Sequence, residues 1–110
     1  MTYAEIFSEI KGKFTGADVS DIKEHLAFQF NITGEGSGIF YVEVKDGILK
    51  IEPYEYYEKD ATFICSADTL RKIADGKLDP VRAFTLQKLK VEGNIDQALK
   101  FKNIIDSKRK

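Results

Sequence analysis

The chain has 110 residues, 43% of them hydrophobic and 12% aromatic, an inventory that suits one small globular domain and excludes a disordered chain. Seventeen basic against eighteen acidic side chains leave a formal charge of −1, so no global field holds nucleic acid or steers an anionic substrate. A single cysteine, Cys65, excludes an intrachain disulfide framework, and one histidine, His25, leaves no zinc ligand set.

Thr2 followed three residues later by Glu5 is a capping-box pattern, and Ile6, Phe7, Ile10 and Phe14 then recur at helical spacing. An amphipathic helix is predicted over 3–14. The stretch Thr15-Gly16-Ala17-Asp18-Val19 breaks it, and a further helical turn is expected over Ser20–Glu24. From Leu26 the period changes to two. Leu26, Phe28, Phe30 and Ile32 share one face, and Ala27, Gln29, Asn31 and Thr33 the other, which predicts a half-buried strand. Gly34-Glu35-Gly36-Ser37-Gly38 is a turn before a second strand, in which Phe40, Val42 and Val44 alternate with polar neighbours. Asp46-Gly47 then favours a two-residue type I′ hairpin, leading to a third strand with Leu49 and Ile51 that Pro53 ends.

Tyr54–Asp60 reads as a polar aromatic loop, and Ala61–Cys65 as a short fourth strand. Ser66 caps a helix over 67–75 with Leu70, Ile73 and Ala74 in one stripe, and Gly76 ends it. Asp79-Pro80 supplies the N-cap and first position of a further helix burying Val81, Phe84 and Ala83. Lys88–Glu92 alternates as a fifth strand. Gly93 closes it, and Asn94 with Gln97 forms a second capping box for one final helix bearing Ile95, Ala98, Leu99, Phe101, Ile104 and Ile105. Strands in a row followed by segregated helices argue an α+β domain. Helices are expected on one sheet face, while the other face, with Gln29, Asn31, Lys50, Glu52, Lys88 and Lys90, is expected to meet water.

Catalysis finds little support in this set. His25 reads as a surface residue, and Cys65, with no basic neighbour in its strand, as a buried inert thiol. The Gly34–Gly38 segment lacks the strand-to-helix context of a phosphate cradle. The carboxylates Glu52, Glu55, Glu58 and Asp60 read as a solvated acidic loop rather than an acid/base pair. Lys100, Lys102 and the tail Lys108-Arg109-Lys110 suit a helix C-terminus without nucleic acid, and termini of this kind are expected to fray. No metal or cofactor is implied. Apolar runs are too short to span a membrane, and the first residues lack the pattern of a secretory signal, so a cytoplasmic protein is expected. Tyr54, Tyr56 and Tyr57 offer an alternative role, as a contact loop for a partner or for transient contact with a membrane surface, over a fully packed core.

The C-terminal half carries a more specific pattern. Asp60-Ala61-Thr62 leads into Ser66-Ala67-Asp68-x-Leu70, then Gly76-x-Leu78-x-Pro80, Ala83-Phe84, Lys88-Leu89-x-Val91-x-Gly93-Asn94 and Ala98-Leu99. This ordered set closely resembles the type-two sterol carrier protein domain, most strongly over 60–101 and collinearly over about 14–59. The resemblance implies a five-stranded antiparallel sheet with helices on one face and an apolar tunnel between the layers. It further implies a non-catalytic carrier of sterol, fatty acid, fatty acyl-CoA or phospholipid. Carried over by position, Leu70, Ile73, Leu78, Val81 and Phe84 roof the tunnel, and Leu89 and Val91 line its floor. Ala98, Leu99, Phe101 and Ile105 close it, and Phe28 and Phe30 face it from the sheet. Each of these also reads as ordinary core. The chain ends Lys108-Arg109-Lys110 instead of in a peroxisomal tripeptide, so a free-standing carrier outside peroxisomes is expected. A pocket for a sixteen-carbon chain would measure ~400 Å³. Sealed and empty it would cost ~10 kcal/mol at ~24 cal/mol per Å³, comparable with the whole stability of a domain, so a filled, wet or collapsed site is expected.

Overall fold

Thr2 opens the first helix, α1 (Tyr3–Phe14), through the predicted reciprocal cap. Its hydroxyl accepts from the Glu5 N–H at 3.2 Å, and its own N–H donates to the Glu5 carboxylate at 3.0 Å. Ile6, Ile10 and Phe14 are buried from this helix. The computed structural model describes residues 2–107; the basic tail Lys108-Arg109-Lys110 lies outside them. No further helix forms over Ser20–Glu24. The chain makes only a turn there, with the Ile22 N–H on the Val19 carbonyl at 2.9 Å and the Asp18 carboxylate accepting from the Ser20 N–H at 3.0 Å and hydroxyl at 2.6 Å.

Five strands follow the predicted alternation: β1 (Leu26–Thr33), β2 (Gly38–Lys45), β3 (Ile48–Glu52), β4 (Ala61–Ser66) and β5 (Lys90–Gly93). Asp46 and Gly47 both take positive φ, 54° and 75°, as a type I′ turn requires, and Lys45 pairs with Ile48 across it. The strand order is β3-β2-β1-β4-β5, and the neighbours are antiparallel except for β1 and β4. That parallel pair corrects the wholly antiparallel sheet expected from sequence.

The registers explain how so short a connection makes it. β3 ends at Glu52, opposite Tyr41 and so level with Gln29, while β4 begins at Ala61, level with Phe28. The chain need only move sideways across β2 and β1, three strand spacings of ~4.8 Å or about 14 Å, and no crossover helix is required. Residues 53–60 make this crossing. The Tyr56 ring stacks on Tyr41 at 5.0 Å between centroids and its N–H donates to Gln29 Oε1. Asp60 fastens the far end: its N–H donates to the Ala27 carbonyl at 2.7 Å, and its Oδ2 accepts from the Ala27 N–H at 2.9 Å. The centre of the supposed water-facing side is therefore covered, and Gln29 is only 4% exposed. Lys50, Lys88 and Lys90 meet water as expected.

The opposite face carries the core. Phe30 stacks between Phe40 and Phe63 at 5.0 and 5.1 Å, and Phe101 descends edge-on to Phe30 at 5.1 Å. Above this face lie α2 (Ala67–Ala74), α3 (Pro80–Thr85), α4 (Ile95–Leu99) and α5 (Phe101–Ser107). Ser66, Asp79 and Asn94 cap α2, α3 and α4 as predicted.

Two boundaries differ from expectation. The N–H groups of Lys88 and Leu89 both donate to the Ala83 carbonyl, closing α3, and Gln87 takes φ 62°, so β5 starts at Lys90 instead of Lys88. The final helix divides at Lys100, where the Lys100 N–H turns back to the Gln97 carbonyl at 3.0 Å. At ~100° per residue a continuous helix would set Ile104 about 180° from Ile95. The division lets α5 bury Phe101, Ile104 and Ile105 while α4 points Ile95 and Leu99 elsewhere.

Candidate functional site

Where α4 points them is an apolar hollow of about 240 Å³ beside the last two strands. Pro80, Val81 and Phe84 of α3 form one wall. Phe63 of β4, Val91 of β5 and the preceding Leu89 form the floor. Ile95, Ala98 and Leu99 of α4 form the other wall, and Lys102 of α5 is the single charged residue among the lining.

The local sequence explains the shape. A six-residue helix that buries only one face needs two or three apolar positions, yet α3 carries Pro80, Val81, Ala83 and Phe84. Ala83 is buried in the core, and Pro80, itself buried, lines the hollow with Val81 and Phe84. On α4, Ala98 turns inward while Ile95 and Leu99, one turn apart, share the remaining face. The result is four large apolar side chains about half exposed: Val81 at 45%, Phe84 at 49%, Ile95 at 48% and Leu99 at 53%. They are gathered around one opening instead of scattered.

At the edge of the hollow, Lys102 Nζ lies 3.1 Å from Asp79 Oδ2, while Asp79 Oδ1 accepts from the Val81 N–H at 2.7 Å. The Lys102 ammonium, and after it the Val81 N–H, hold the Asp79 carboxyl below the usual carboxylate range.

Six of the residues singled out from sequence meet here: Val81, Phe84, Leu89, Val91, Ala98 and Leu99. Phe28, Phe30, Leu70, Ile73 and Phe101 lie in the closed core, each no more than 1% exposed, away from the hollow. Leu78 and Ile105 line a smaller neighbouring hollow. Sequence reading missed Phe63, Pro80, Ile95 and Lys102. The spacing Ile95-Leu99-Lys102, one face at i, i+4, i+7, held the signal for two of them.

The other residues weighed for chemistry lie away from the hollow. Cys65 is buried, and desolvation pushes its thiol up to about 12. His25 sits on the surface with Nε2 2.8 Å from Glu43, whose carboxylate also accepts from the Tyr56 hydroxyl. Of the acidic loop, Asp60 is bound into the β1–β4 junction, while Tyr54 and Tyr57 stand exposed, Tyr57 at 88%. Among the described residues no helix is long and apolar enough to cross a membrane.

The model of the SCP-2 sterol transfer family matches residues 7–106. The chain is 33% identical over 90 residues to sterol carrier protein 2 of Arabidopsis thaliana, covering 78% of this chain and 72% of that protein. It is 32% identical over 79 residues to hydroxysteroid dehydrogenase-like protein 2 of Mus musculus, 71% of this chain but only 16% of that protein. In fold it resembles palmitated SCP2L2 of Aedes aegypti, with a TM-score of 0.67 at 23% identity over 96% of this chain and 95% of that one.

Proposed function

The chain belongs to the SCP-2 sterol transfer family, and from that premise we propose that it is a non-catalytic carrier. It takes the tail of a sterol, fatty acid, fatty acyl-CoA or phospholipid into the hollow between α3, β5 and α4. The observation that supports this reading is the gathering of Val81, Phe84, Ile95 and Leu99, half exposed, around a space whose lining is apolar except for Lys102. A folded chain gains nothing by leaving four such groups together in water unless something covers them.

Affinity then follows from burial alone. Each methylene transferred contributes ~0.8 kcal/mol, and a micromolar complex needs ~8 kcal/mol net, so part of a long acyl chain suffices even after association costs. Selection by length is loose, because ~0.8 kcal/mol for one methylene more or less discriminates only about fourfold. The hollow, at about 240 Å³, is smaller than the ~400 Å³ a sixteen-carbon chain would fill. Uptake of the whole tail widens the gap between α3 and α4 into a tunnel, since the outer apolar residues of those short helices are half exposed and need little repacking to part.

Native mass spectrometry of gently purified protein, together with titration of a fluorescent fatty acid, tests the reading. The expected result is a co-purifying lipid or saturable micromolar binding; an empty protein with no saturable binding overturns it. A second reading draws on the exposed Tyr54 and Tyr57, which would form a partner contact. With a fully packed core that reading predicts no lipid uptake, and loss of the partner when Tyr54, Tyr56 and Tyr57 are replaced by Ser.

A further inference from the structure

Lys102 stands between two hollows of opposite character. The apolar one ends at Lys102 and Pro80, and the same two residues border a second hollow of about 200 Å³ that also takes in Asp79 and Asp106. A lipid whose tail lies in the first hollow with its polar end towards Lys102 meets the entrance to the second.

The charge of Lys102 is already compensated there. Asp79 Oδ2 lies 3.1 Å from its ammonium. Asp79 is itself fixed as the cap of α3, with Oδ1 on the Val81 N–H at 2.7 Å. A side chain held at both oxygens does not swing aside for an incoming anion. Asp106 borders the same hollow and adds a second acidic side chain to its rim. Yet an ammonium has three N–H donors, and Asp79 takes only one of them. We propose that the Asp79–Lys102 pair selects lipids with an uncharged oxygen head group, a hydroxyl or an ester carbonyl, over lipids ending in a free carboxylate. A hydroxyl fits both partners at once, accepting from Lys102 and donating to Asp79. A carboxylate gains the Lys102 donor but is set beside Asp79, where two like charges repel at a protein surface that screens them only in part.

This inference rests on the carrier reading above, and its test separates the two. Binding of dodecanol and dodecanoate, both below their aggregation limits at pH 7, is measured for the wild type, Asp79→Asn and Lys102→Gln. The wild type binds dodecanol about tenfold more tightly than dodecanoate. Asp79→Asn keeps a capping side chain, since Asn caps as well as Asp, and it frees the Lys102 charge, so the preference disappears or inverts. Lys102→Gln leaves Asp79 uncompensated and the preference widens. It leaves the cap untouched, so it decides the matter should Asp79→Asn fail to fold. A merely structural role for the pair would shift both ligands equally. Tighter binding of dodecanoate by the wild type, or a ratio unmoved by the substitutions, overturns the selection and leaves the carrier reading standing. Binding of neither ligand by the wild type overturns both.

Discussion

Phe84 and Phe101 show what a residue's type leaves open. Both are phenylalanines on short helices of the C-terminal half, both occupy apolar helical positions, and the family pattern assigns both to a tunnel wall. Phe84 is 49% exposed beside the hollow, whereas Phe101 is 1% exposed with its ring against Phe14, Phe28, Phe30 and Phe63. Phe84→Ala is therefore expected to weaken lipid binding several-fold while costing ~1 kcal/mol of stability or less, as surface substitutions do. Phe101→Ala opens a void in the closed core and should cost ~3–5 kcal/mol in urea denaturation. Equal stability losses would place both in the core. Cys65 makes a second prediction at this scale. Burial raises its folded pKa to about 12 from the usual 9, so the thiol's contribution is fully present below pH 9 and is lost as pH rises from 9 towards 12. Tyr56, whose O–H donates to the Glu43 carboxylate, is likewise pushed up to about 12 from 10 and acts in the same direction over the upper part of that range. The urea midpoint should fall between pH 9 and 12, less steeply in Cys65→Ala, and a thiol reagent at pH 7 should label the protein only once it unfolds.

Among the elements, those specified by local chemistry were legible and those specified by distant partners were not. Thr2 with Glu5, Asp46-Gly47, Ser66 and Asp79-Pro80 each carry their own hydrogen-bonding or dihedral instruction, and each stands where the sequence puts it. The parallel pairing of β1 with β4 has no such local sign, because it depends on β3 and β4 being staggered so that residues 53–60 need only cross sideways. The division between α4 and α5 was encoded, in apolar residues spread too far round one helix for a single buried face, but only the neighbouring sheet and hollow tell which to split off. Of the candidate site, the family resemblance assigned α3 and the final helix to the walls; which of their side chains face outward was not legible, and Val81 and Phe84, read as buried, are half exposed. Gly93 is where several of these elements meet. It takes φ +99°, a Cβ there would come within 2.9 Å of the Asp60 carbonyl, and Asp60 is the residue that fastens the crossing loop to Ala27 and accepts from the Asn94 N–H. Gly93→Ala combines ~1–2 kcal/mol of left-handed backbone strain with crowding worth ~1–3 kcal/mol. A loss of roughly 2–5 kcal/mol on thermal or urea unfolding is expected, with amide exchange rising first around Ala27, Asp60 and Asn94; an unchanged midpoint would show that the junction gives way easily.

At the scale of the whole molecule, the hollow matters because the domain is small. Its phenylalanines divide between two layers, and those layers close on each other through Phe101 at the centre of the sheet but stay apart where α3 and α4 stand over β5. At ~24 cal/mol per Å³, a sealed void of the size seen here would cost ~6 kcal/mol, a large share of the ~5–15 kcal/mol that holds a domain together. Opening to solvent reduces that cost, and a bound tail removes it, so lipid and fold should be coupled thermodynamically. A ligand that binds only the folded state at a hundredfold excess over its dissociation constant stabilises it by ~2.7 kcal/mol. For a domain of this length, at ~4 °C or more per kcal/mol, saturating lipid should raise the Tm by roughly 10 °C. Phe84→Ala should show a smaller rise at the same lipid concentration, because its affinity is lower, while replacing Tyr54 and Tyr57 with Ser on the far side of the sheet should leave the rise intact. Differential scanning calorimetry with and without a long-chain alcohol reads all three proteins. A Tm that does not move for the wild type would mean that the gap between α3 and α4 is a surface irregularity of a finished core, and would shift the search for function to the exposed tyrosines.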